Sequence, residues 1–373
     1  MTLNKVVFCK KCVISNQRPR ITFDKNGICS ACSFSEYKNS VNWDKREKEL
    51  KKLCDKFRSK NGGLDVIVPS SGGKDGSYVA YRLKKDYGMN PLTVTWSPQI
   101  QTDIGKENFE NMINSGFDNI RGSPNGEINR RLARTTFEEF GDHYLPNIYG
   151  IMNFPVHIAI KYKIPLIFYG EDGEVEYGGS SERFDKPELD LEYTYKTKFT
   201  SFAPNYWKKF GFTDKELQFY QPPTINEVKK NKIHIHYFSY YENWKPERNF
   251  KIAKKFLNFK HLPTRSQGTF TNFAQIDEKT YDFHYYMQFI KFGFGRATSD
   301  VCHQIRDGLI SRNEGIEMVK KYDGEFPKKH EKEFLMYLDI KKTQFNKIVD
   351  KFRNPTIWNK KNGKWDLRYQ VSK

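Results

Sequence analysis

The chain has 373 residues, enough for one substantial core and a smaller unit or two beside it. Hydrophobic residues make up 37% and aromatic residues 16%, which excludes a disordered chain, and no apolar run approaches the ~20 residues of a membrane span. The net charge of +18 asks for an acidic partner (nucleic acid, a phosphorylated or nucleotide-linked sugar, or an acidic protein), unless the excess is merely a lysine-rich composition.

The opening stretch MTLNKVVFCKKC has no apolar signal core, so a soluble cytoplasmic protein is expected. Two pairs follow, Cys9-x2-Cys12 and Cys29-x2-Cys32, at the spacing of a four-cysteine zinc site. Disulfides are the alternative, which a cytosolic location disfavours. Residues 1–40 therefore read as a zinc ribbon, with Ile21 to Phe23 as a short strand, a turn ending at Gly27, then the second knuckle. Four cysteines leave no open position, so this zinc would be structural. Cys54 and Cys302 stand alone and read as small buried hydrophobes.

Asn42 to Lys60 reads as a charged amphipathic helix. Val66, Ile67 and Val68 then form a buried strand, and Val79, Ala80 and Leu83 recur at helical spacing. Between them lies Ser70-Ser71-Gly72-Gly73-Lys74-Asp75-Gly76-Ser77. A polar, glycine-rich loop at the start of a helix is an anion site, because the first backbone N–H groups lack intrahelical partners and carry the positive end of the dipole. Gly72 and Gly73 let the backbone approach a ligand, Ser71 and Ser77 add hydroxyl donors, and phosphate is the natural guest. The spacing is not that of the Walker loop.

Strands and helices continue to alternate: Leu92 to Trp96, a helix capped by Thr102 or Asp103, Phe117 to Arg121, a helix through Phe137, one that Pro155 opens, and the strand Pro165 to Tyr169. Such units imply a parallel twisted sheet with helices on both faces, with ligands bound at the carboxyl ends of its strands. Loops 70–77, 97–103 and 171–179 should share that rim. The last concentrates four carboxylates among glycines; it is either a solvated acidic loop or a set of groups that hold magnesium or position an amine. Residues 41–180 read as this α/β core, and residues 181–373 as a mostly helical region completing the substrate site. His234 and His236 share one face of a strand but lack a third metal ligand. Asp277 and Thr298 read as caps of two further helices, with Arg296 after Gly293 and Gly295 suited to bidentate phosphate contact. Ser311 and Glu314 form a capping box, and the tail beyond Asn354 reads as peripheral.

The loop Ser71 to Asp75 resembles the SGGxDS loop of the PP-loop ATP pyrophosphatases, of the adenine nucleotide alpha hydrolase-like fold, with Gly76 where serine is usual. Taken with the cysteine pairs, KFGFGRATSDVCHQIRDG and EGIEMVKKYDG, the chain resembles the N-acetyl sugar amidotransferase family of surface-polysaccharide (lipopolysaccharide, O-antigen) and flagellin-glycan pathways. The resemblance implies conversion of an acetamido group on a nucleotide-activated sugar to acetamidino. ATP would adenylate the amide oxygen, releasing pyrophosphate; ammonia from glutaminase- and cyclase-like partner subunits would add at carbon, and AMP would leave. Ser71, Gly72, Gly73, Lys74, Asp75 and Ser77 would bind ATP and Mg2+, Cys9, Cys12, Cys29 and Cys32 would bind Zn2+, and Lys74, Asp75, Glu171 and Arg296 would be catalytic, Glu171 by orienting ammonia. No glutaminase nucleophile is visible, so glutamine alone should not suffice. Two other readings stay open: a tRNA-thiolating PP-loop enzyme, and a non-catalytic nucleic-acid-binding zinc-ribbon module.

Overall fold

The computed structural model describes residues 6–197 and 203–372. Five strands form one wholly parallel sheet: β1 (Val66–Pro69), β2 (Pro91–Trp96), β3 (Asp118–Gly122), β4 (Leu166–Tyr169) and β5 (His234–Tyr237), in the order β3-β2-β1-β4-β5. The apolar runs follow from coverage on both faces. Val66, Val68, Leu166 and Phe168 enter one core with Tyr78, Leu83, Phe238 and Trp244, whereas Ile67, Ile167, Leu92 and Val94 enter the opposite core with Leu132, Tyr149 and Val156. That alternation is the period-2 geometry of a strand. The order reverses direction at β1, because β2 and β3 lie to one side and β4 and β5 to the other, and this switch point opens a crevice at the strand carboxyl ends.

Beyond the alternating region the chain is mainly helical, but β5 completes the sheet from within it, and a hairpin of β6 (Trp358–Lys361) and β7 (Lys364–Leu367) lies near the C-terminus. The hairpin is not peripheral. Trp358 is buried against the helix Tyr281–Phe292 and donates its indole N–H to the Ile290 carbonyl at 2.7 Å. The cysteine-rich segment packs on the C-terminal region too, sharing a core with Phe294, Val301 and Ile316. Its second knuckle opens directly into the helix Ser30–Ser40, with Cys29 at the N-cap. Among the described residues no helix is long and apolar enough to cross a membrane.

Three expected helix starts are corrected. Pro155 lies inside the helix Leu145–Tyr162, whose first turn holds Pro146. Burial of Phe154, Val156, Ile158 and Ala159 on the sheet offsets the lost backbone bond there. Asp277 caps nothing, since Thr280 precedes the helix Tyr281–Phe292. Thr298 is the third residue of the helix Arg296–Arg306 and does not cap it. The cap comes from afar: Asp323 accepts from the N–H groups of Gly295 (2.8 Å) and Thr298 (3.2 Å) and from the Thr298 hydroxyl (2.6 Å). A buried carboxylate supplied in this way satisfies orphan N–H donors as a local cap would.

Candidate active site

A cavity of about 1000 Å³ lies over the switch point, walled by the ends of β1, β2 and β4 and roofed by residues 271–309. At its floor, residues 70–73 turn into the helix Lys74–Lys85, whose first intrahelical bond runs from Ser77 N to Gly73 O at 3.1 Å. The N–H groups before that bond have no intrahelical partner and carry the positive end of the helix dipole. Gly72 has φ +87°, and a Cβ there would stand 2.6 Å from the Phe109 backbone, so a packed helix requires this glycine. At Gly73 a Cβ would meet nothing nearer than Ser71 Oγ at 3.5 Å, so Gly73 is the glycine whose surface faces free space.

Gly76 turns out to be compensated. A Cβ on it would come within 2.7 Å of Ser70 Oγ, so the Ser70 hydroxyl already fills the space that a serine side chain would need. Ser77, expected to contact phosphate, is buried on the inner face of the helix 3.5 Å from Ser70 Oγ and does not line the cavity. Lys74 pairs with the adjacent Asp75, and Asp75 Oδ1 accepts from Asn249 at 3.2 Å. Ser71 donates to Asp277 Oδ2 at 2.8 Å, which gives Asp277 its place: it braces the loop from the roof.

Opposite stands the acidic segment, which is not a solvated loop. Residues Gly173–Tyr177 form a short helix capped by Asp172, and Asp172, Glu174 and Glu176 are buried. Each has a partner: Glu174 pairs with Arg20 at 3.0 Å, Glu176 with Lys38 at 3.0 Å, and Asp172 accepts from Glu174 N. Glu171 faces the cavity and accepts from the Tyr177 hydroxyl at 2.9 Å. Burial, then the Asp75 and Glu176 charges, push its carboxyl up to about 7. Glu171 and Asp75 thus present two carboxylates beside Lys74, a donor set of the hard oxygen type that suits Mg2+.

The helix Arg296–Arg306 supplies the roof. Arg296 pairs with Asp300 at 2.8 Å and donates to the Tyr285 hydroxyl at 3.0 Å. Ser299, Asp300, His303, Gln304 and Asp307 line the cavity with it. His303 Nε2 is buried without a hydrogen bond, and burial and the Arg306 charge hold the ring neutral. This polar stripe was readable as spacing of three, four and seven from Arg296. Arg18, reaching in from the cysteine-rich unit to stack over Tyr177 (5.2 Å) and Phe294 (5.6 Å), had no such signal.

The four cysteines meet in one buried cluster, with Cys9 Sγ to Cys32 Sγ at 3.9 Å and Cys12 Sγ to Cys29 Sγ at 3.7 Å. Backbone N–H groups of Lys11, Cys12 and Cys29 point at Cys9 Sγ, and hydrogen bonds from the neighbouring thiols hold its pKa far below the usual thiol value, favouring the thiolate. Four converging sulfurs fit a tetrahedral metal. Arg312 clamps the first knuckle by donating to the carbonyls of Cys12 (3.1 Å) and Cys9 (3.2 Å).

The roof and the clamp belong to the segment for which a family model matches, residues 267–371: LPS biosynthesis protein WbpG-like, C-terminal domain. Residues 267–371 are thus similar to the C-terminal domain of that family. The matched segment sits against a five-stranded parallel sheet whose first strand leads into the SGGKDG loop. An uncharacterized protein of Methanocaldococcus jannaschii is 28% identical over 107 residues, 28% of this chain and 37% of the relative, so the match spans little more than a third of that relative. Similar solved structures include the NH3-dependent NAD synthetase of Campylobacter jejuni in complex with the nitrate ion, with TM-score 0.26 and 16% identity over 52% of this chain and 93% of that one. Another is the U34-tRNA thiolase of Methanococcus maripaludis with its 4Fe-4S cluster, with TM-score 0.29 and 14% identity over 85% and 89%. Scores this low carry no argument about activity.

Proposed function

We propose that this chain is an ATP-dependent, AMP- and pyrophosphate-forming amidotransferase that converts an acetamido group of a nucleotide-activated sugar to acetamidino, in the building of a surface polysaccharide or flagellin glycan. The observation that carries the reading is that the SGGKDG loop and the WbpG-like domain line the same cavity, with Glu171 between them. At about 1000 Å³ the cavity lies at the upper end of small-molecule sites, as a pair of substrates requires.

In this reading Gly73 and the first N–H groups of the helix Lys74–Lys85 receive phosphates, Lys74 offsets their charge, and Asp75 holds Mg2+. Bound ATP supplies the adenylyl group that makes the amide oxygen a leaving group. Glu171, poised near neutrality and fixed by Tyr177, orients ammonia and takes its proton. Arg296, steadied by Asp300 and Tyr285, contacts phosphate from the roof. Zn2+ in the cysteine cluster is structural, and ammonia comes from a glutaminase- and cyclase-like partner. The tRNA-thiolation alternative calls for cysteines near the active site, and no cysteine is among the residues that line the cavity.

The test is mass spectrometry after incubation with Mg-ATP, ammonium and a panel of nucleotide-activated di-acetamido sugars, with AMP and pyrophosphate assayed alongside. Exchange of one sugar oxygen for NH, with one AMP and one pyrophosphate, is expected. AMP that forms only on addition of tRNA would overturn the proposal.

A further inference from the structure

On the far edge of the sheet stands a second group of metal-ligating side chains that the proposed reaction does not use. β5 is an edge strand, and His234 and His236, two residues apart, project from the same face, their rings 6.4 Å apart at 26°. The third member arrives from a distant turn. Glu188 is bridged antiparallel to His236, and the flanking bonds Leu189 N to Ile235 O and Tyr237 N to Pro187 O, both 2.9 Å, hold it there. Glu188 Oε1 lies 3.7 Å from His234 Nδ1 and 3.6 Å from His236 Nε2. The three ligand atoms all fall within 4.8 Å of one another.

Two further observations point to a ligand. The side chain of His236 is 5% exposed, and its Nε2 makes no hydrogen bond although it is aimed into the group. Its Nδ1 is 2.8 Å from the Tyr241 hydroxyl, the outer-sphere contact that fixes the tautomer of a ligating imidazole. With Nδ1–H donating to the tyrosine oxygen, the Nε2 lone pair points at Glu188 and His234.

We propose that Glu188, His234 and His236 form a zinc-binding site that fastens residues 187–189 to the open edge of the sheet, with its fourth position facing solvent. Bonds of ~2.0–2.1 Å in a tetrahedron set ligand atoms about 3.3 Å apart, so the two measured separations need to close by only a few tenths of an ångström. Two imidazole nitrogens and one carboxylate select Zn2+ over the hard cations Mg2+ and Ca2+. The remaining position is open because the side chains of His234 and Glu188 are 37% and 59% exposed while His236 forms the buried base.

The experiment is a Zn2+ titration of the full chain, its cysteine cluster already loaded, against a chromophoric chelator, with metal analysis after gel filtration. One equivalent per chain beyond the cysteine-bound metal is expected. His234→Ala, at a half-buried position, and Glu188→Gln, at an exposed one, should weaken it by at least about tenfold, and Tyr241→Phe by a similar factor through loss of the outer contact. Protection of Cys9, Cys12, Cys29 and Cys32 from alkylation should stay unchanged in all three variants. Absence of the additional equivalent, or equal affinity in His234→Ala and Glu188→Gln, would overturn the assignment.

Discussion

Lys38→Met would break a buried ion pair between the cysteine-rich unit and the acidic segment. Lys38 Nζ donates to both oxygens of Glu176 at 3.0 and 3.2 Å, with the two side chains 9% and 2% exposed. Methionine keeps the apolar stem and removes the charge, leaving the Glu176 carboxylate buried without its partner. Breaking a buried pair on one side costs about 3–5 kcal/mol. Arg306, whose charge acts on Glu176 and whose guanidinium donates to the Glu176 carbonyl at 3.0 Å, offsets part of this and sets the expectation at the lower end, about 3 kcal/mol. Urea unfolding followed by tryptophan fluorescence reads the loss, and amide exchange over residues 171–179 should speed up in parallel. Lys38→Met with Glu176→Gln removes the stranded charge and should recover most of the stability. A loss below about 1 kcal/mol, the range of exposed pairs, or a double variant no better than the single one, would refute the reasoning.

Lys74→Ala should lower AMP and pyrophosphate formation by at least about a hundredfold while leaving the melting temperature near that of the parent; retained turnover would remove Lys74 from the site. Glu171 gives a pH signature: its carboxyl is raised to about 7, so a step that needs the ionised form gains rate as pH rises through that value, and Glu171→Gln should abolish that limb of kcat/KM. The stability sign is the opposite one. A carboxyl pKa higher in the fold than in the unfolded chain favours folding at low pH, and that contribution fades as pH climbs through about 7, a trend that Glu171→Gln should erase. Gly72→Ala should destabilise by about 1–2 kcal/mol from its left-handed φ alone, and further from contact with Phe109, whereas Gly73→Ala should fold normally and lose nucleotide affinity; a Gly72→Ala protein as stable as its parent would contradict the packing described.

Much of the fold was legible because it rests on neighbours in sequence. The apolar run Val66–Val68, the loop and the periodic helix after it are one local unit, as are the cysteine knuckles and the Ser311–Glu314 capping box, whose reciprocal bonds are present. Their bonds span few residues, so residue type and spacing suffice to predict them. The resemblance found in residues 291–324 likewise agrees with the family match over 267–371.

What went astray involved partners far along the chain. Asp277 looks like a cap because aspartate before a helical pattern usually is one, yet its carboxylate serves Ser71 across 206 positions. Thr298 lost the same role to Asp323, and the choice left open for the acidic segment fell against a solvated loop because Lys38 and Arg20 arrive from the N-terminal unit. Ser77 is the local exception: its side chain is buried and does not line the cavity. The sequence by itself determined the alternating strand-helix order, the four-cysteine cluster and the glycine-rich loop at a helix start, since periodicity, knuckle spacing and an unpaired helix start are local properties of the chain. Only the tertiary structure decided which carboxylates are buried, that Glu188 joins His234 and His236, and that the roof closes over the loop, because charge pairing and burial depend on elements that meet only when the whole chain has folded.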